Sequence, residues 1–512
     1  MWTRPLVLAL MLGGPAAAQE PLSAIDWLGQ DLAEPSIAPP AEPAPRPTSP
    51  DEPPVTRDAR APQVDVGPIG AADAGAAGLL PMSVTGLPRT LWTGSDPARL
   101  RRLIEEADPA VPALAALLNT LMLAEADPPG GAEGFLGVRV ARLMEEGALD
   151  AASALLDRAG PARRSLFPVW FKVALLTGQE SAPCDALQDD PTLTEAVAPR
   201  VFCAARAGDW PRAALAFESG RALGDLQGRD ADLLERFLSP EMAEELPGMP
   251  PPVRPTPLQF KLHEAVGEPL PASALPRAFA VAALSGDRGW KAQLDAAERL
   301  ARAGALSENR LLGIYSLREP AASGSVWDRV AAVQGFEEAL RDGSDEELAR
   351  ALRTAWPLMR AQGLAVPFAR FFGPDLAGRE LPGRAGRIAA EAALLSDDYE
   401  DASHRIAAET DALRFLVALA RGEAPEETPA LPHAAALAAG FAPGAESSAL
   451  TAMAGENRLG EAILRAMALF GSGADGNGND LSEALGTLRA LGLEDTARRA
   501  ALQLAILAED VR

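Results

Sequence analysis

Reactive and metal-binding residues are scarce in this chain. Its 512 residues include two cysteines and three histidines. His263, His404 and His433 stand far apart, and none has a metal-ligand neighbour at helical spacing. HExxH, CxxC, GxSxG and GxxxxGKS/T are all missing, so zinc-protease, zinc-ribbon, α/β-hydrolase and phosphate-loop chemistries lack their central residues. No catalytic residue and no cofactor is therefore assigned. Aromatic residues make up only 5%, with tyrosine at Tyr315 and Tyr399 alone. Sheets favour β-branched and aromatic side chains, whereas abundant Ala and Leu suit closely packed helices.

Positive charge is also in short supply. Lysine occurs only at Lys172, Lys261 and Lys291, and the formal net charge is −24. A surface with that excess of Asp and Glu repels nucleic acid and anionic headgroups and favours solubility. The bias to arginine and alanine points to a GC-rich bacterial genome. Beyond the N-terminus, no segment offers the roughly 18 uninterrupted apolar residues that a membrane span needs. The best attempt, residues 434–441, is bounded by Pro432 and Pro443.

The N-terminus itself carries a processing pattern. Arg4 precedes the apolar run 6–12, then Gly13-Gly14-Pro15 and Ala16-Ala17-Ala18. A charged start, a short apolar stretch and a small-x-small site read as a secretory signal, with residues 1–18 removed and Gln19 as the new N-terminus. The expected compartment is the periplasm, or the exterior, with no membrane insertion after cleavage. An oxidising compartment favours a bridge between Cys184 and Cys203, worth roughly 3 kcal/mol for so short a loop. Two buried free thiols or a redox pair are the alternatives.

Residues 19–34 include a brief amphipathic helix in which Ile25, Leu28 and Leu32 share one face beside Trp27. At two or three turns it is too short to stand alone in water, so it reads as a docking helix. Residues 35–86, rich in Pro, Ala and Gly, read as a disordered tether with a reach on the order of 100 Å. A leftover arm packing on its own domain is the plainer alternative.

From residue 87 onward the pattern is helical. Asp96-Pro97 supplies an N-cap followed by proline in the first turn, with Leu100, Leu103 and Ile104 on one face. Further helices are expected at 111–124, 138–146, 151–159 and 166–176, and a long one over 345–359. One phrase recurs: a helix ending in small residues, Gly or Asp, a tight turn, then an Ala-rich helix. It appears around Gly147-Ala148-Leu149-Asp150, Gly208-Asp209-Trp210-Pro211 and Asp397-Asp398-Tyr399. The Asp would cap the second helix and the aromatic would fill the turn.

That phrase resembles the helix-turn-helix unit of tetratricopeptide-like repeats, although the spacing does not settle to their period of about 34 residues. The resemblance implies an α-solenoid of stacked helical hairpins with a concave binding face, and no catalytic residues. The fold expected is thus all-α, preceded by the Pro-rich segment. Proline and glycine rise again at Pro247-Gly248-Met249-Pro250-Pro251-Pro252, dividing an N-terminal block, 87–246, from a C-terminal block, 257–512.

Two weaker site candidates remain. Asp475, Asn477 and Asn479, with Glu483 following, imitate the start of a calcium loop. However, Asp480 stands where glycine is needed and Gly486 where a bidentate glutamate belongs. The plainer reading is a solvated turn with Asp480 capping the next helix. Trp290, Trp327 and Trp356 would serve as stacking surfaces if the ligand were a glycan strand. Taken together, the residues favour a non-catalytic scaffold for an envelope protein or peptide. The alternatives are a helical enzyme with dispersed carboxylates meeting in a groove, or a glycan-strand binder at the cell wall. The lytic-transglycosylase superhelix is similar only in being exported and helical, because no lysozyme-like segment is present.

Overall fold

The computed structural model describes residues 74–132, 134–285 and 288–508, all within one compact unit, Gly67–Arg512. The signal sequence, the docking helix with Ile25, Trp27, Leu28 and Leu32, and the tether through residue 73 lie outside the described residues. Among the described residues the chain is all-α, with no strand. The β-type pairing found among them is an isolated bridge between Leu80 and Ala124.

The end of the expected tether is folded. From Ala74 the chain forms a 3₁₀ turn, Ala74–Ala76, then a strap leading to α1 (Met82–Thr85). Asp96 accepts from the Arg99 N–H at 2.8 Å and starts α2 (Pro97–Glu105), followed by α3 (Pro112–Leu123) and α4 (Phe135–Glu146). The strap runs over the end of α3, where the Leu79 and Leu80 N–H groups both donate to the Leu123 carbonyl, at 2.9 and 3.0 Å. Arg139 on α4 is fully buried and pins it: Nε donates to Met122 O at 2.8 Å, Nη2 to Ala124 O at 2.7 Å and Nη1 to Ala77 O at 2.9 Å. Burial lowers its pKa to about 10, which leaves it a cation at neutral pH, sited where the orphan carbonyls of a helix C-terminus favour one. The anchor lies some sixty residues downstream, so the strap's own composition reads as tether.

Helices then succeed one another in solenoid-like order: α5 (Leu149–Ala159), α6 (Phe167–Thr177), α7 (Ser181–Asp189), α8 (Val197–Arg206), α9 (Trp210–Leu223), α10 (Gly228–Leu238) and α11 (Pro240–Glu245), neighbours packing on neighbours. The Sγ atoms of Cys184 and Cys203 are 2.01 Å apart, at disulfide distance, and staple α7 to α8. Gly147, between α4 and α5, has φ of 83°, a left-handed conformation that L side chains resist; a Cβ there would also meet the Leu300 side chain.

The recurring turn phrase diverges once folded. Asp209 does cap α9, accepting from Arg212 N–H at 3.1 Å, yet Trp210 beside it is 49% exposed and fills nothing. Tyr399 fills its turn: it is buried, its hydroxyl donates to Asp495 at 3.0 Å, and the Arg499 guanidinium lies over its ring at 4.7 Å. Asp398 makes no side-chain cap.

After the proline-rich stretch the chain folds back. Thr256 and Gln259 form a capping box that starts α12 (Pro257–Ala265), which packs against α6 and α10. The 3₁₀ segment Arg277–Leu284 packs on α4 and α6 and carries α13 (Trp290–Arg302). The remaining helices are α14 (Glu308–Tyr315), α15 (Val326–Asp342), α16 (Asp345–Arg360), α17 (Ala365–Leu376), α18 (Arg384–Leu395), α19 (Tyr399–Arg405), α20 (Asp411–Arg421), α21 (Ala434–Gly440), α22 (Ser448–Gly455), α23 (Leu459–Ala474), α24 (Gly478–Ala490) and α25 (Glu494–Leu507).

The last helices return to the first. α23 packs on α2 and α25 on α3, and one buried apolar cluster extends from Leu87 to Ile506. Hydrogen bonds sew the seam: Gly460 N–H to Leu91 O at 2.9 Å, Gly94 N–H to Asn457 O at 2.9 Å, and Ala113 N–H to Gln503 Oε1 at 2.7 Å. Gly460 must be glycine, because a Cβ would fall inside the buried Trp92 ring. In an open repeat array the two terminal units each need a polar outer face; here the two ends cover each other.

Candidate functional site

The residues nominated from sequence do not assemble into one site. Asn477, in the calcium-like run, caps α24 by accepting from the Asp480 N–H at 3.4 Å, while Asp480 accepts from Ser472 Oγ at 2.6 Å. The helix cap is thus Asn477, and Asp480, expected to be the cap, lies inside the first turn. Asp475 ends α23, and Asn479 and Glu483 sit on α24. Among the described residues no cluster of three or more His, Cys, Asp or Glu side chains could hold a metal ion. The tryptophans do not make a stacking row either: Trp356 is buried, and Trp290 and Trp327 pack on each other, ring centroids 5.1 Å apart, with Trp290 Nε1 donating to Ile314 O at 2.9 Å. Of the histidines, His263 is fully buried, His404 is exposed and His433 is half-buried.

A different feature emerges around α13. On this helix Leu294, Ala297 and Ala301 face the core. Ala292, Asp295, Ala296, Arg299 and Arg302, at steps of one to four residues, share the opposite wall and line a cleft of about 680 Å³. The facing side comes from Phe260 on α12, the loop Pro269 to Ser273 and the 3₁₀ segment through Ala280 and Ala283. Arg288, Ser325, Arg329 and Gln362 complete the rim. This volume falls in the range of pockets that take a small ligand or a short peptide segment.

Four arginines therefore meet in one cleft of an acidic protein, and they are not equivalent. Arg329 is neutralised: Nε and Nη2 donate to the two oxygens of buried Glu298 at 2.8 and 2.6 Å. The Tyr315 hydroxyl donates to the same carboxylate at 2.6 Å; burial, reinforced by Glu298, drives its pKa far up and keeps it a donor. Arg288 is bonded to Glu264, and Asp295 is held by Lys291 at 2.6 Å.

Arg299 and Arg302 have no carboxylate partner among the described residues. Arg299 donates to the Ala272 carbonyl at 3.1 Å and to that of Leu275; Arg302 donates through Nε to Gln362 O at 2.5 Å. Burial, then the like charges of Arg277 and Arg302, push the Arg299 pKa below its ordinary value. Two guanidiniums thus stand side by side in a recess of a chain whose net charge is −24. Guanidinium groups in such a place bind anions, and carboxylates in fork geometry best. Glu298 is not a free general base, since both its oxygens already accept charged or hydroxyl donors.

Sequence reasoning missed this cleft. Its arginines are spread over residues 288–329 in an arginine-rich chain, and their spacing differs in no way from that of surface arginines elsewhere. The only usable signal was the i, i+3 pair Arg299 and Arg302 on a helix whose other face is apolar.

Fold and cleft together define an all-α stack of helices closed end to end, with one cationic, partly apolar recess. Compared with known proteins, the chain matches no family model, and neither a curated protein nor a solved structure matches it.

Proposed function

We propose that this chain is an exported, non-catalytic helical-repeat scaffold of the tetratricopeptide-like kind that holds a protein or peptide partner in the bacterial envelope. The observation that carries the reading is the recess beside α13, which combines apolar walls with two guanidinium groups, Arg299 and Arg302, that no carboxylate among the described residues engages. Export draws support from the charged, apolar and small-residue order at the N-terminus and from the cysteine pair at disulfide distance. No helix among the described residues is long and apolar enough to cross a membrane. The glycan reading loses support because Trp356 is buried and Trp290 and Trp327 cover each other. The enzyme reading loses support because the cleft's glutamate is fully engaged.

The test is affinity capture of the mature chain from envelope extracts, followed by titration of each captured protein, purified, against the chain. A specific partner with saturable binding is the expected result. A parallel capture with residues 22–32 deleted separates the docking helix from the folded body as the binding element. Binding by no purified candidate, together with turnover of an envelope substrate, would overturn the reading.

A further inference from the structure

We infer that the cleft beside α13 is the docking site for an extended partner segment in which Asp or Glu side chains adjoin apolar ones, the carboxylates seated on Arg299 and Arg302. This deepens the scaffold reading and rests on it. Charge complementarity is the first argument. Lys, Arg and acidic groups elsewhere around the cleft are matched: Arg329 with Glu298, Arg288 with Glu264, and Lys291 with Asp295. Among the described residues the unmatched remainder is two guanidiniums, Arg299 and Arg302. Arg302 is exposed and, among the described residues, bonds only through Nε, which leaves both its Nη groups for a ligand.

The second argument is the wall. Leu270, Ala282 and Ala283, each partly exposed, face the same space, with buried Phe260 and Ala280 behind them. A bare inorganic anion would satisfy the arginines and leave this wall in water; an apolar chain would cover the wall and leave the cations unpaired. A segment with both kinds of side chain satisfies both surfaces, and apolar burial with charged hydrogen bonds at the edge is the usual composition of a peptide site. The proline-flanked loop at Pro269 and Pro271 forms one rim, and Arg299 fixes that rim through the Ala272 and Leu275 carbonyls. Arg302 is thus the ligand's contact, and Arg299 both contacts the ligand and positions the loop.

Random heptapeptides displayed on phage, selected against the purified full chain, test this. Enriched sequences should carry Asp or Glu next to Leu, Ile, Val or Phe. Synthesised with an amidated C-terminus, the best of them should bind at least tenfold more tightly than its Asn/Gln counterpart, the loss of one charged hydrogen bond being worth about that factor. R302Q should weaken it by about the same factor with unchanged thermal unfolding, and R341Q, far along the chain and paired with Glu337, should not. Because R299Q also loosens the rim, it is read only beside R302Q. Equal binding of acid and amide peptides, enrichment of sequences without carboxylates, no enrichment at all, or no effect of R302Q would each overturn the inference. None of these outcomes touches partner capture, which judges the scaffold reading separately.

Discussion

Arginines behave differently at two of the places where this fold brings distant segments together. At the seam, every arginine of α23 to α25 and their turns is bracketed by carboxylates. Arg458 bonds Glu456 and Glu461; Arg465 bonds Glu461; Arg489 and Arg498 both bond Glu494; Arg499 bonds Asp495 and Asp397. In the cleft, Arg299 and Arg302 bond, among the described residues, only backbone carbonyls. Each of these arginines is matched by carboxylates of the fold, and Glu461 also reaches across the seam to Arg99 at 3.9 Å. Charge in the cleft is left over after folding, and leftover charge in a recess is what a partner can use.

Substitutions should separate the two regions. The largest effect is expected at Glu461, which is fully buried and accepts four guanidinium bonds, two from Arg458 and two from Arg465. E461Q removes the charge that both arginines face, so denaturant unfolding should show a loss of about 3 kcal/mol, the lower end of the cost of breaking a buried pair because Arg458 and Arg465 are 24% and 37% exposed. Next, replacing Cys184 and Cys203 with alanine opens a short loop outside both regions. It should cost about 3 kcal/mol without altering either seam or cleft, which a melt of the reduced protein checks.

Acid should weaken the seam. Burial alone would raise the pKa of Glu461 and Glu494, but hydrogen bonds from Arg458 and Arg465, and from Arg489 and Arg498, outweigh it and hold both below the ordinary 4.5. A carboxylate with a depressed folded pKa contributes stability that is complete above its unfolded value and is lost as pH falls through the folded one. Thermal midpoints should therefore drop below about pH 4.5, and the drop should be shallower in E461Q. His263 adds a milder slope at higher pH. Burial holds its pKa under the ordinary 6.5, with Glu268 opposing, so below that pH the unfolded chain takes the proton first and stability declines. H263Q should remove this part of the curve. The smallest effect is expected in the cleft: R302Q, with an exposed side chain and one bond to a carbonyl, should change unfolding by no more than about 0.5 kcal/mol.

Local features were legible in the sequence where the chemistry is local. Asp96-Pro97 marks the start of α2, residues 111–124 bracket α3 with its two caps, and the long helix begins at Asp345. Cys184 and Cys203 fall at disulfide distance. What escaped was every feature resting on a distant partner. The strap after Ala74 is ordered by Arg139, and Gly460 is dictated by Trp92. The cleft exists because α12, the 3₁₀ segment and α15 converge on α13. Ala- and Leu-rich helices carry a strong period and little information about which neighbour they meet, so helix positions could be read and their closure could not.

Hydrogen exchange of the full chain, with and without the best acidic heptapeptide, tests the central contrast most directly. The expected result is slowed exchange confined to residues 269–283 and 290–302, with the seam helices α23 to α25 unchanged. Protection at the seam, or on the exposed face of α9 bearing Trp210, Leu215 and Leu223, with none along α13, would contradict the assignment of the leftover charge to a partner.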